Sequence, residues 1–163
     1  MARAMSTHDR FSKLILVAPI LFIAHWWEEA PGFVEWLNAH VTRGITNEMF
    51  TQVNATALVI TVILSAIAFF DASAGSATAA IAWLAFLMAA NAALHIAAAI
   101  VDRGYAPGVI TAALLYVPYF LMMFVLARRR GASVAVLFVV SAIAATPMLI
   151  HGYLILFRGS RLF

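Results

Sequence analysis

Five stretches of this chain contain no Asp, Glu, Lys or Arg: Leu14–Trp27, Met49–Phe70, Ala72–Val101, Gly104–Ala127 and Gly131–Phe157. A helix needs about 20 apolar residues to cross the hydrocarbon core of a bilayer, and four of the stretches reach that length as they stand. The first reaches it by running on through Glu28 and Glu29. Lipid offers no partner to open backbone groups, so such stretches must be helical. The expected fold is an all-α membrane protein, a bundle of five transmembrane helices over about 13–30, 49–71, 77–101, 107–127 and 132–157, in a single membrane domain covering residues 1–163. The composition, 65% hydrophobic and 10% charged, departs from the soluble mix of about 45–50% and about 25% in the same direction.

The connections carry the remaining polar residues. "PGFVEWLNAHVTRGITNE" repeats Phe33, Trp36, Leu37, His40 and Val41 near helical spacing, which predicts a short interfacial helix over about 33–42, with Glu35, Asn38 and Arg43 on its wet side. The other links are short and impose antiparallel neighbours. The Ala-rich third stretch suits close helix packing in lipid. Residues 1–12 are polar, with a cap expected at Ser6 or Thr7. The basic start and apolar middle of residues 1–24 resemble a secretory signal but lack a small-x-small cleavage pattern, so the segment is expected to remain.

The net charge of +3 does not indicate nucleic acid, because the arginines sit beside apolar runs and report topology. With the N-terminus inside, Arg3, Arg10, Lys13 and Arg128–Arg130 are cytoplasmic, six against the four of Arg43, Arg103, Arg158 and Arg161. That bias favours N-terminus inside and C-terminus outside. Cysteine is absent, which excludes disulfides and thiolate metal sites.

Polar residues inside the spans cost free energy unless they are paired or hydrated, which makes them the informative ones. His95 lies seven residues before Asp102 and His151 seven before Arg158. Both therefore sit about 10 Å inside the membrane boundary. His25 comes twelve residues after Lys13, about 18 Å from the opposite boundary, so all three histidines fall in one leaflet whichever way the chain is oriented. Glu28, Glu29, Asn91, Tyr105 and Thr111 join them at that level, as do Glu48, Gln52 and Asn54 at the start of the second helix. Glu28 and Glu29 flank His25 at i+3 and i+4, and Asn91 stands four before His95. Pro147, four before His151, is placed to bend the fifth helix and re-aim that ring.

Three imidazoles with one or two carboxylates at one depth fit a divalent metal site, zinc first and iron as the alternative. Bland readings stand beside this one. Trp26 and Trp27 fit an aromatic belt, and His40 fits interfacial packing. Tyr105, Pro107 and Gly108 can simply turn into the fourth helix, Thr111 can bond back to its own helix, and His95 can be a packing histidine held by Asn91.

Three motifs in order then carry a resemblance. "HWWEE" (His25, Glu28, Glu29), "NAALH" (Asn91 to His95) and "YAPGVIT" (Tyr105 to Thr111) resemble the motifs of the HXXEE-domain family of bacterial and archaeal integral membrane proteins. The resemblance implies that these residues belong together, in a prokaryotic inner (cytoplasmic) membrane. It names no reaction, and His151 matches none of its motifs.

The leading expectation is a membrane-embedded metal-dependent hydrolase, or related enzyme, acting on a lipid-like or isoprenoid substrate from the bilayer. His25, His95 and His151, with Glu29 or Glu28, would ligate the metal, and the other glutamate would be general base on its bound water. Asn91, Tyr105 and Thr111 would orient ligands or bind an oxyanion. The rivals are a metal-free glutamate protease, a proton- or cation-coupled carrier, and an accessory protein whose polar cluster is structural glue.

Overall fold

The computed structural model describes residues 7–163, and within them the chain is helical, with no strand. Five of its helices are long and apolar enough to cross a membrane: Arg10–Glu29, Asn47–Phe70, Ala74–Val101, Val109–Arg129 and Val134–Arg158. Each lies within a few residues of the expected span, and the bundle carries the expected interfacial helix between the first two. Of the residues named for the amino-terminal cap and the charge bias, Ser6 and Arg3 lie outside the described residues.

The first span is interrupted. α1 (Thr7–Ile15) and α2 (Ala18–Glu29) are separated at Leu16 and Val17. Pro19 stands in the first turn of α2, has no N–H for the Ile15 carbonyl, and its ring crowds that carbonyl. The chain tightens there, Val17 donating to Leu14 at 3.0 Å, and the Tyr119 hydroxyl donates to the same Leu14 carbonyl at 2.8 Å.

α3 (Phe33–His40) is the interfacial helix, and α4 (Asn47–Phe70) is the second span, opened by the Thr46 hydroxyl accepting from the Met49 amide at 3.1 Å. The third span is α5 (Ala74–Leu84), a π-helical segment Ala85–Ala90, and α6 (Asn91–Val101). The fourth is α7 (Val109–Thr111), a second π segment Ala112–Tyr116, and α8 (Val117–Arg129). The fifth, α9 (Val134–Arg158), runs through Pro147 as one helix.

Half of the third span is buried inside the bundle, against 11% of the fifth. The third is therefore the axial helix, and its alanines let neighbours approach. Phe11, Ile15, Phe22, Ile81, Met88, Tyr116 and Met123 fill the core around it. A smaller cluster of Leu37, Val41 and Ile155, flanked by Phe33 and Trp36, seats α3 on the fifth span.

One of the three clustered arginines is not a surface charge. Arg130 is buried, donates to the Ala68 carbonyl at 3.0 Å and to the Ser12 hydroxyl, and its guanidinium stands 4.7 Å from the Phe11 ring centre. It ties the ends of the first, second and fourth spans together.

Candidate metal centre

α2 presents His25 and Glu29 one turn apart on its inner face, and α6 presents Asn91 and His95 with the same spacing. The two faces meet. His25, Glu29 and His95 each offer a ligand atom within 4.8 Å of the others, and their exposures are 0%, 5% and 1%. Glu29 Oε1 lies 3.4 Å from His25 Nε2 and 3.0 Å from His95 Nε2. Two ligand atoms at about 2.0–2.1 Å on a tetrahedral ion stand about 3.4 Å apart, so the two nitrogen–carboxylate spacings are close to what zinc requires.

The proton arrangement follows from a chain of hydrogen bonds that begins at Glu28. Its Oε1 accepts from the Tyr105 hydroxyl and the Ile110 amide, both at 3.0 Å, and its Oε2 accepts from the Thr111 amide at 2.7 Å and the Thr111 hydroxyl at 2.5 Å. Thr111 has one hydroxyl proton and gives it to Glu28, so toward His25 Nδ1, 2.8 Å away, it must accept. That fixes His25 as the Nδ1–H tautomer, with the Nε2 lone pair turned toward Glu29 and accepting from the Asn91 amide at 3.0 Å. The polar contact recorded for His95 Nε2 is with Glu29 Oε1 at 3.0 Å, and it makes no regular hydrogen bond.

Gly108 closes the cradle. Its φ of +92° lies in the left-handed region, and a Cβ there would stand 2.8 Å from Cε1 of both His25 and His95 and 3.0 Å from Glu29 Cγ. The glycine lets the backbone ahead of α7 lie directly on the two rings. From the other side, Phe33 of α3 stands with its ring 5.9 Å from that of His95.

α3 is clasped to the end of the third span. Trp36 Nε1 donates to Asp102 Oδ2 at 2.7 Å, and His40 reaches the Trp36 carbonyl through Nδ1 at 2.7 Å and Asp102 Oδ1 through Nε2 at 3.1 Å. Burial opposes charge on both partners, but these bonds outweigh it, raising the His40 pKa and lowering that of Asp102. Burial and the bond to Glu28 raise Tyr105, which keeps its proton and remains a donor.

His25, Glu29 and His95 thus converge as expected, with Asn91 and Thr111 on the two nitrogens of His25. Two expectations change. Glu28 is absent from the three-residue cluster and accepts four hydrogen bonds from Tyr105, Ile110 and Thr111. His151 does not join: its Nδ1 accepts from the Leu162 amide at 3.1 Å and its ring stacks on Phe163 at 4.2 Å. Glu48, Gln52 and Asn54 also stay apart, Gln52 bonded to Glu48 and Asn54 to the Phe50 carbonyl. Sequence reasoning passed over Tyr116, whose ring lies 4.4 Å from that of His25 and which nothing in the run it shares with Tyr119 distinguishes. It also read Gly108 only as a turn.

Fold and site together define an all-α bundle of membrane-spanning type, built around a buried His–Glu cluster in one half of its thickness. A family model described as "Protein of unknown function with HXXEE motif" matches residues 16–123, and the chain belongs to this HXXEE family. The matched region holds His25, Glu29, His95 and Thr111 and ends before His151. No curated protein and no solved structure matches the chain.

Proposed function

We propose that the chain is a membrane-embedded metal-dependent enzyme, a hydrolase or related catalyst for a lipid-like or isoprenoid substrate, with a divalent ion held by His25, Glu29 and His95. The observation that carries this reading is the convergence of three buried donor atoms, with Nε2 of both His25 and His95 brought to one oxygen of Glu29. His95 Nε2 makes no hydrogen bond of good geometry as it stands, and a shared ion would satisfy both imidazole nitrogens and the carboxylate at once. Two histidines and one glutamate form a donor set used by catalytic zinc sites, where the fourth position is left for water or substrate.

The surrounding residues have supporting tasks. The Glu28–Thr111 pair holds His25 in the tautomer that a metal needs, as a second layer of hydrogen bonds does around metal-binding imidazoles. Asn91 caps the His25 lone pair and would release it when the ion binds. The ion would polarise a bound oxygen and lower its pKa, and zinc is the first expectation, with iron second. An apolar groove of about 230 Å³ between the third and fifth spans, lined by Leu94, Ala97, Met148, Gly152 and Tyr153, has the character to take an acyl or isoprenoid chain. We place the protein in a prokaryotic inner membrane, N-terminus inside and C-terminus outside.

Metal analysis of protein purified in mild detergent without chelators tests the reading. About one equivalent of zinc or iron is expected, and Glu29→Gln and His25→Ala should lose it. A metal-free protein that still takes up no added zinc would remove the enzyme reading and favour a structural polar cluster.

A further inference from the structure

Among the described residues three buried side-chain atoms have no hydrogen-bond partner: His95 Nε2, the Tyr116 hydroxyl and Ser141 Oγ. Two of these belong to residues that pack on the same ring. His25 lies 4.9 Å from the His95 ring and 4.4 Å from that of Tyr116, and Tyr116 is 0% exposed. Tyr116 also lies within electrostatic reach of the Glu29 carboxylate.

The backbone explains how Tyr116 arrives there. In a regular α-helix residues five apart stand about 140° apart around the axis. Thr111 and Tyr116 are five apart, and the π segment Ala112–Tyr116 between them closes i→i+5 bonds. That wider turn brings both onto one face. Thr111 therefore meets Nδ1 of His25 while Tyr116 lies against the ring. Phenylalanine would fill the same space without burying a hydroxyl, so packing alone gives no reason for tyrosine.

We propose that the Tyr116 hydroxyl is the hydrogen-bond donor for an anionic oxygen of a ligand bound at the His25, Glu29 and His95 centre, such as a carboxylate or the oxyanion of a carbonyl adduct. The inference rests on the metal reading above and adds to it the chemical class of what the centre receives. A neutral phenol in a site closed to water is a strong donor to a developing negative charge, because no solvent competes for the bond.

Cobalt(II) and acetohydroxamate, whose oxygens bind a metal ion as a small oxyanion does, are the probes. Cobalt affinity is read from the visible spectrum, followed by hydroxamate titration of the unaltered protein, Tyr116→Phe and Tyr116→Leu. Tyr116→Phe keeps the ring and should bind cobalt within about twofold of the unaltered protein, yet bind acetohydroxamate about tenfold more weakly. Tyr116→Leu removes the ring that supports His25 and should weaken both. Equal hydroxamate affinity in Tyr116→Phe overturns the donor role and leaves the metal site standing. Loss of cobalt by Tyr116→Phe makes the hydroxyl a support for His25 and likewise overturns it. Failure of the unaltered protein to bind cobalt overturns the metal reading, and this inference with it.

Discussion

Asn91–His95 in the third span and Pro147–His151 in the fifth look alike along the chain, each with a histidine seven residues before a charged residue that marks the end of its helix. Their surroundings differ. The third span is half buried and turns His95 onto α2 and the Gly108 backbone, whereas the fifth is 11% buried and turns His151 toward Leu162 and Phe163. Two side chains at one depth can thus serve different ends, because depth says nothing about direction around the helix axis. An axial helix, contacted on several sides, directs its polar residues inward; a peripheral one leaves most of its surface to lipid.

The sharpest test of this contrast is to remove each imidazole in turn. His95→Ala should reduce zinc binding by at least about 100-fold, by loss of one of three ligands, while His151→Ala should leave zinc stoichiometry unchanged; metal analysis and competition with a chelator would read both. Equal losses would return His151 to the site.

A glycine beside each histidine gives the next contrast. Gly108→Ala places a methyl group 2.8 Å from both rings at a positive φ, and should cost about 2–3 kcal/mol in thermal unfolding and abolish zinc binding. Gly152→Ala, on the fifth span, meets the Leu94 side chain, closest at its Cδ1 tip at 2.9 Å with Cβ at 3.4 Å, and should cost about 1 kcal/mol with zinc retained.

Thr111→Val tests the relay that orients His25 and has no counterpart at His151. It should weaken zinc binding by about 10–100-fold while Tyr105→Phe, one bond further out, has a smaller effect. Similar affinities in both would mean that the His25 tautomer is held some other way.

The smallest effect concerns the cover over His95. His40 has a raised pKa, so its contribution is full below the ordinary histidine value of 6.5 and is lost as pH rises through the raised one. Asp102 has a lowered pKa, so its contribution is present above the ordinary aspartate value of 3.8 and is lost as pH falls through the lowered one. Protection of the α3 amides against hydrogen exchange, corrected for the intrinsic rate at each pH, should therefore be greatest between those limits and fall a few-fold on the alkaline side, and Asp102→Asn should flatten the profile.

Much of the fold was legible because charge exclusion and helix length are properties of the chain itself. The five spans and the interfacial helix could be read off runs of residues, and His25, Glu29 and His95 could be singled out because polar groups in lipid need partners. What escaped depends on angle and proximity. Pro19 interrupts the first span, which the apolar run alone did not reveal. Glu28 was placed with the cluster on paper, and only the return of the Tyr105–Thr111 segment shows where its hydrogen bonds go. Tyr116 was hidden because its direction depends on a π turn that no residue pattern announced, while His151 was included because depth was the one coordinate available.

That π turn also has a mechanical meaning. Each residue advances a helix by about 100°, so Ala112–Tyr116 acts as a phase insert between the part of the fourth span that carries Thr111 and the part that packs through Met123 and Leu126. Deleting one residue there would let the span relax to uniform winding, but its two ends could no longer both keep their present facings. Either the Glu28–Thr111 end or the Tyr119–Leu14 contact would have to rotate out of place. The fourth span is thus two helices in different rotational settings joined in one rod, and the extra residue lets each face its own partner.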